Sequence, residues 1–248
     1  MPSQALSFKD LKPFSDLGTS IERNETGFLI VRNGNQVLIE REGDGYRATA
    51  SDVAPVDYSS SAALLASPLF GNLTKIAQNQ KILLQAQHLN YRPVPITSQV
   101  RQIFGSAPEF TKEDVPPWEA LHAWLEQQRH SQPPDCTDLL LIDGPAGVGK
   151  TTIVRETALL RTNLYDGQVP LIIQISSRGR VLQNITDLID FALQEFRSNI
   201  TVEQLVVLMR HGIITLAIDG FDELSDPNGF KTAWSGLNRL ISDARGSA

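Results

Sequence analysis

The sequence predicts an α/β protein: an incomplete three-layer parallel sheet over residues 112–248, preceded by a small α+β module over residues 1–111. Three observations carry this expectation. Apolar runs at 138–142, 169–175 and 213–219 alternate with helical patterns, the order that builds a parallel sheet with right-handed crossovers. A glycine-rich stretch follows the first run, and a group of carboxylates ends the last. The first hundred residues show hairpin chemistry instead, with Asn33-Gly34-Asn35 between two β-rich runs.

The N-terminal module opens as a three-stranded meander. Gly27–Arg32 and Gln36–Glu40 flank the first turn, and Tyr46–Ala50 follows Gly43-Asp44-Gly45. Pro55 and Ser59-Ser60-Ser61 then read as a loop. Residues 71–90 have helical patterning through Leu73, Ile76, Ile82, Leu83 and Leu84, and Val100–Phe104 is a shorter apolar piece. Residues 113–117 are the best domain boundary. Pro116-Pro117 blocks one helix and suits the start of another, roughly 117–130, with Trp118, Leu121 and Leu125 at helical spacing. Gln132-Pro133-Pro134-Asp135 links into the first parallel strand. Helices are expected over Lys150–Arg161, around Thr186–Leu193, from Thr201 through Arg210, and from Asn228 to Ile241.

Gly144-Pro145-Ala146-Gly147-Val148-Gly149-Lys150-Thr151, followed by Thr152, has the G-x-x-x-x-G-K-T pattern of a loop that wraps phosphates. Glycines let backbone N–H groups turn inward without Cβ clashes. Lys150 would reach the β- and γ-phosphates, Thr151 would give its hydroxyl to Mg²⁺, and the helix N-terminus would add partial positive charge. A second motif answers it. The branched run Ile213–Ile218 suits a buried parallel strand and ends on Asp219, where ligands bind in open α/β folds. A lone Asp there is ordinarily a turn residue or cap. With Asp222 and Glu223 just beyond, Asp219 instead fits a magnesium-holding carboxylate, and one of the other two would polarise the attacking water.

GPAGVGKTT (144–152) paired with LAIDGFDEL (216–224) resembles the NACHT-type nucleotide-binding domain of the STAND class of P-loop NTPases. The resemblance spans about residues 112–248, and its more specific half is Asp219-Gly220-Phe221-Asp222, with a tiny residue after the magnesium-binding Asp and an acid two positions on. It implies a P-loop NTPase three-layer sheet, an ATP/Mg²⁺ site, slow hydrolysis and an ATP/ADP-dependent switch controlling self-association in response to a protein or ligand trigger. Bacterial defence is one setting it implies. Asp222 becomes the first choice for activating water, with Glu223 beside it and Lys150 on the phosphates. The class also carries a sensor strand between the two motif strands. It is not visible here, so the chain is expected to be the N-terminal part of a longer protein.

Composition narrows the alternatives. A formal charge of −6 and a pI near 5.2 argue against a nucleic-acid-binding surface over the whole chain. The single Cys136 excludes an intrachain disulfide and fits a reducing compartment, and His88, His122, His130 and His211 lack metal-cage spacing. No signal peptide or membrane span is evident, so the cytoplasm is the expected location. Two rival classes share the motifs: an ATPase acting on nucleic acid, for which Arg178 and Arg180 would be contacts, and an adaptor that binds nucleotide without turnover. Glu40-Arg41-Glu42 faintly suggests a nuclease cluster, although a charged hairpin end is the simpler reading.

Overall fold

The computed structural model describes residues 5–16, 18–51, 53–86, 117–131, 139–166, 170–177, 184–221 and 231–245. A short capped helix, α1 (Phe8–Leu11), and a 3₁₀ turn over Lys12–Phe14 lead into a five-stranded antiparallel meander. Its strands are β1 (Thr19–Arg23), β2 (Gly27–Arg32), β3 (Asn35–Glu42), β4 (Gly45–Ala50) and β5 (Val53–Tyr58), paired in sequence order. Arg32 faces Asn35 across the first central hairpin, leaving Asn33 and Gly34 as the two-residue loop, both at positive φ. That is the turn geometry matching the right-handed strand twist. Gly27 is required by packing, because a Cβ there would lie 1.9 Å from the Ile39 carbonyl oxygen.

The sheet has two strands more than the meander expected from sequence. β1 carries one apolar residue, Ile21, too little for a pattern, and β5 contains Pro55, which read as a loop. Both are edge strands. Proline is tolerated there because an edge residue need not donate to a second neighbour.

α2 (Ser61–Ala66) and α3 (Leu73–Ala86) follow, then α4 (Pro117–Ser131) and α5 (Lys150–Asn163). The remaining elements are β6 (Leu171–Ser176), α6 (Ile185–Glu195), α7 (Val202–Arg210), β7 (Ile214–Asp219) and α8 (Lys231–Arg245). β6 and β7 pair in parallel from Leu171↔Ile214 to Ser176↔Asp219, with α6 and α7 in the crossover. α7 begins with a reciprocal capping box between Thr201 and Gln204, so its start is dictated locally.

The expected P-loop three-layer parallel sheet is not what the chain forms. Among the described residues the parallel sheet has two strands, and the larger sheet is the antiparallel one. The correction falls on the run before the glycine loop: 139–142 is no strand, and Leu139 and Leu141 are exposed. Four apolar residues become a strand only when a neighbour accepts their ladder hydrogen bonds. Among the described residues, β6 and β7 bond to each other and not to this run.

The two regions separated at 111/112 in sequence share one apolar cluster, from Leu11 and Phe14 through Leu64 and Leu65 to Leu205 and Leu208. Polar contacts cross the same line. Arg210 Nη1 donates to Asp10 Oδ1 at 2.8 Å, and Gln204 Nε2 donates to the Pro13 carbonyl at 2.9 Å. The buried Gln80 side chain donates to Thr162 Oγ1 and to the Ile172 carbonyl, each at 2.8 Å. Among the described residues, no helix is long and apolar enough to cross a membrane. The proposed helix end at 87–90, the Val100–Phe104 run, Cys136 and the Arg178/Arg180 loop lie outside the described residues.

Candidate functional site

The glycine-rich segment forms a turn that opens directly into α5. Gly144, Pro145, Ala146, Gly147 and Val148 make the turn, and Val148 N–H donates to the Pro145 carbonyl at 3.4 Å. Gly149 is the N-cap of α5 at φ 97°, a left-handed conformation that a side chain would strain. It offers no side-chain cap, so the first N–H groups of α5 depend on other partners. Asp143 Oδ1 accepts from Gly144 N–H at 2.7 Å and anchors the entry to the turn.

Lys150, Thr151 and Thr152 occupy the first turn of α5. Lys150 Nζ folds back over the loop and donates to the carbonyls of Gly144 and Pro145 at 2.5 and 3.1 Å. The ammonium therefore lies against the backbone at the start of the loop, held by neutral acceptors. A phosphate oxygen is a stronger partner for it than either carbonyl.

Thr151 Oγ1 donates to Asp219 Oδ1 at 3.0 Å. This contact joins two motifs 68 residues apart in sequence. Asp219 is the last residue of β7, buried at the C-terminal end of the parallel pair. Its position is reinforced from the residue after β6: Ser177 N–H donates to the Asp219 carbonyl at 3.1 Å, and Ser177 Oγ donates to the Gly220 carbonyl. Gly220 itself sits at φ 72°, turning the chain sharply after the carboxylate. Phe221 then packs edge-on against Trp234 of α8, with ring centroids 5.3 Å apart.

Sequence reasoning did not single out Ser177. Its only signal was a polar residue closing the apolar run of β6. The expected roles for Asp222 and Glu223 fall outside the described residues. The expected helix before the loop is present as α4 and packs on α5. Thr157 Oγ1, which donates to the Ile153 carbonyl at 2.7 Å, lies 3.3 Å from the Trp118 carbonyl, and Glu126 pairs with the buried Arg161 at 2.5 Å. Burial, with Arg161 second, pushes the His122 imidazole below its ordinary pKa, favouring the neutral ring beside that guanidinium.

The donor set fits a magnesium-bound nucleotide. The Thr151 hydroxyl and Asp219 carboxylate are hard oxygen donors already in contact, the chemistry Mg²⁺ takes from protein when phosphates and water supply the rest. No group of three or more His, Cys, Asp or Glu among the described residues would cage a metal by itself. In the antiparallel sheet, Glu42 of the Glu40-Arg41-Glu42 triplet is paired with Arg47 at 2.7 Å, and Arg47 also holds Asp57. Comparison with known protein families, with curated proteins and with solved structures gave no match.

Proposed function

We propose that the chain is a nucleotide-binding switch of the NACHT type, taking Mg-ATP at residues 144–152 and Asp219. The observation that carries this reading is the Thr151–Asp219 hydrogen bond. A glycine turn alone would serve any anion. A hydroxyl and a carboxylate brought together from separate motifs, beside a lysine over the turn, favour a triphosphate with its metal.

In this reading the backbone N–H groups at Gly147–Lys150 bind phosphate oxygens, and Gly147 and Gly149 permit the required turn. Lys150 leaves the Gly144 and Pro145 carbonyls for the β/γ region. Thr151 and Asp219 would hold Mg²⁺, which when bound neutralises phosphate charge and orients the terminal group. Asp222 accepts the proton of the attacking water, with Glu223 as the neighbouring candidate. Control of self-association by ATP against ADP, a protein or ligand trigger, and a cytoplasmic setting complete the proposal, and they rest on motif resemblance and composition.

The test is equilibrium binding of a fluorescent ATP analogue to the 248-residue chain and to Lys150→Ala. Binding should be saturable in the parent and lost in the variant. Unchanged affinity in a folded Lys150→Ala protein would remove the site assignment. Asp222→Asn and Glu223→Gln should retain binding, and slowed turnover in one of them identifies the water-activating group.

A further inference from the structure

A cleft of about 630 Å³ opens between the β2–β3 turn, the start of α3 and the turn joining α6 to α7. It shares no residue with the glycine loop, and its volume is that of a small-molecule site. Arg32, Lys75 and Arg197 line it against a single carboxylate, Asp16. Asp16 Oδ1 already accepts from Gly18 N–H at 2.9 Å. Arg32 is fixed in place, its Nε donating to Thr19 Oγ1 at 3.2 Å and its Nη2 to the Leu69 carbonyl at 2.9 Å. The cleft therefore combines an excess of positive charge with one immobilised guanidinium, in a chain whose formal charge is −6. Phe14 and Phe70, in edge-on contact at 5.1 Å, and Ile76 and Ile200 give it an apolar wall.

The backbone supplies an independent observation. Among the described residues, the non-glycine residues at positive φ are Asn33, Asn72 and Arg197, at 51°, 46° and 48°. All three line this cleft. Asparagine tolerates the left-handed region, but arginine has no short polar group to offset the strain. Arg197 follows the C-cap residue Phe196 of α6, with Arg197 N–H on the Gln194 carbonyl and Ser198 N–H on the Leu193 carbonyl, both at 2.9 Å. That is the position where helices commonly end on glycine. Here a strained arginine occupies it, at a residue that lines the cleft. Strained backbone of this kind gathers where a site requires a particular side chain.

We propose that this cleft binds an anionic small molecule, a phosphate or carboxylate on an apolar body, with Arg197 and Lys75 as its exposed cations and Arg32 as its hydrogen-bonded one. The probes are phenyl phosphate and benzoate, titrated into ¹⁵N-labelled Lys150→Ala protein so that the glycine loop does not contribute. Saturable shifts should appear at the Gly18, Asn72 and Ser198 amides. Response to only one probe still supports the site and identifies its anion. Arg197→Gly separates ligand binding from a structural role. It should unfold at a higher denaturant concentration than its parent, because glycine relieves the strain, yet bind the responding probe at least tenfold more weakly. Lys75→Gln, an exposed change, should weaken binding without altering stability. Absence of saturable shifts with either probe, or parental affinity in Arg197→Gly, would overturn the proposal.

Discussion

Replacing Gln80 tests whether the N-terminal region and the helix carrying the glycine loop unfold as one unit. Gln80 is fully buried on α3. Its amide nitrogen bridges Thr162 of α5 and the Ile172 carbonyl of β6, while Oε1 is buried with no hydrogen-bond partner. A flipped amide would set an oxygen against the Ile172 carbonyl, so the orientation is chemically determined. In Gln80→Leu, two buried acceptors lose their donor, at about 1–3 kcal/mol each, while removal of unsatisfied Oε1 returns a similar amount. The net expectation is a loss of about 2 kcal/mol, a urea midpoint shift of about 1 M at a slope of about 2 kcal/mol/M. Gln80→Glu should be worse, since its charged form turns a carboxylate toward a carbonyl. The assay is urea unfolding followed by tryptophan fluorescence. Trp118, Trp124 and Trp234 all lie beyond residue 111, so they report the change only if unfolding is shared. A Leu variant within about 0.5 kcal/mol of the parent, or a Glu variant no worse than Leu, would refute the bridging role.

Two further predictions concern Asp10 and Gly149. Burial alone would raise the Asp10 carboxyl, but His211 and the Ser7 side-chain and backbone hydrogen bonds hold it well below the ordinary carboxylate range. A pKa lowered by folding contributes stability that is present above the unfolded value and lost as pH falls through the folded one. Asp10→Asn should therefore cost about 2 kcal/mol at pH 7, and its difference from the parent should shrink in acid, as read by denaturant titration at several pH values. Gly149→Ala forces a Cβ onto φ 97°; it should cost about 1–2 kcal/mol of stability by the same measurement and weaken nucleotide binding.

Local chemistry made several elements legible. The helix opening at Lys150, the capping box at Thr201 and the Asn33-Gly34 hairpin are each written in a few adjacent residues. Long-range partnership was not. The run before the glycine loop has strand composition, yet strand formation depends on a neighbour that its own residues cannot specify. β5 was concealed by Pro55, whose placement is acceptable only because the strand lies at a sheet edge. The proximity of Thr151 to Asp219 was anticipated by motif chemistry, whereas the Ser177 contacts that steady Asp219 depend on β6–β7 register. The cleft around Arg197 gave no sequence signal, because its cations come from three separate segments and its strain resides in φ.

The central claim is that Thr151 and Asp219 act together on a magnesium-bound nucleotide. Its most direct test is the ATP affinity of the parent, Thr151→Val, Asp219→Asn and the double variant, each with and without Mg²⁺. Magnesium should tighten binding at least tenfold in the parent, an increment of about 1.4 kcal/mol, and much less in either single variant. The double variant should lose no more than the worse single one, because the two groups serve the same ion. ATP affinity indifferent to magnesium in the parent, or a full magnesium response retained in both single variants, would contradict the account.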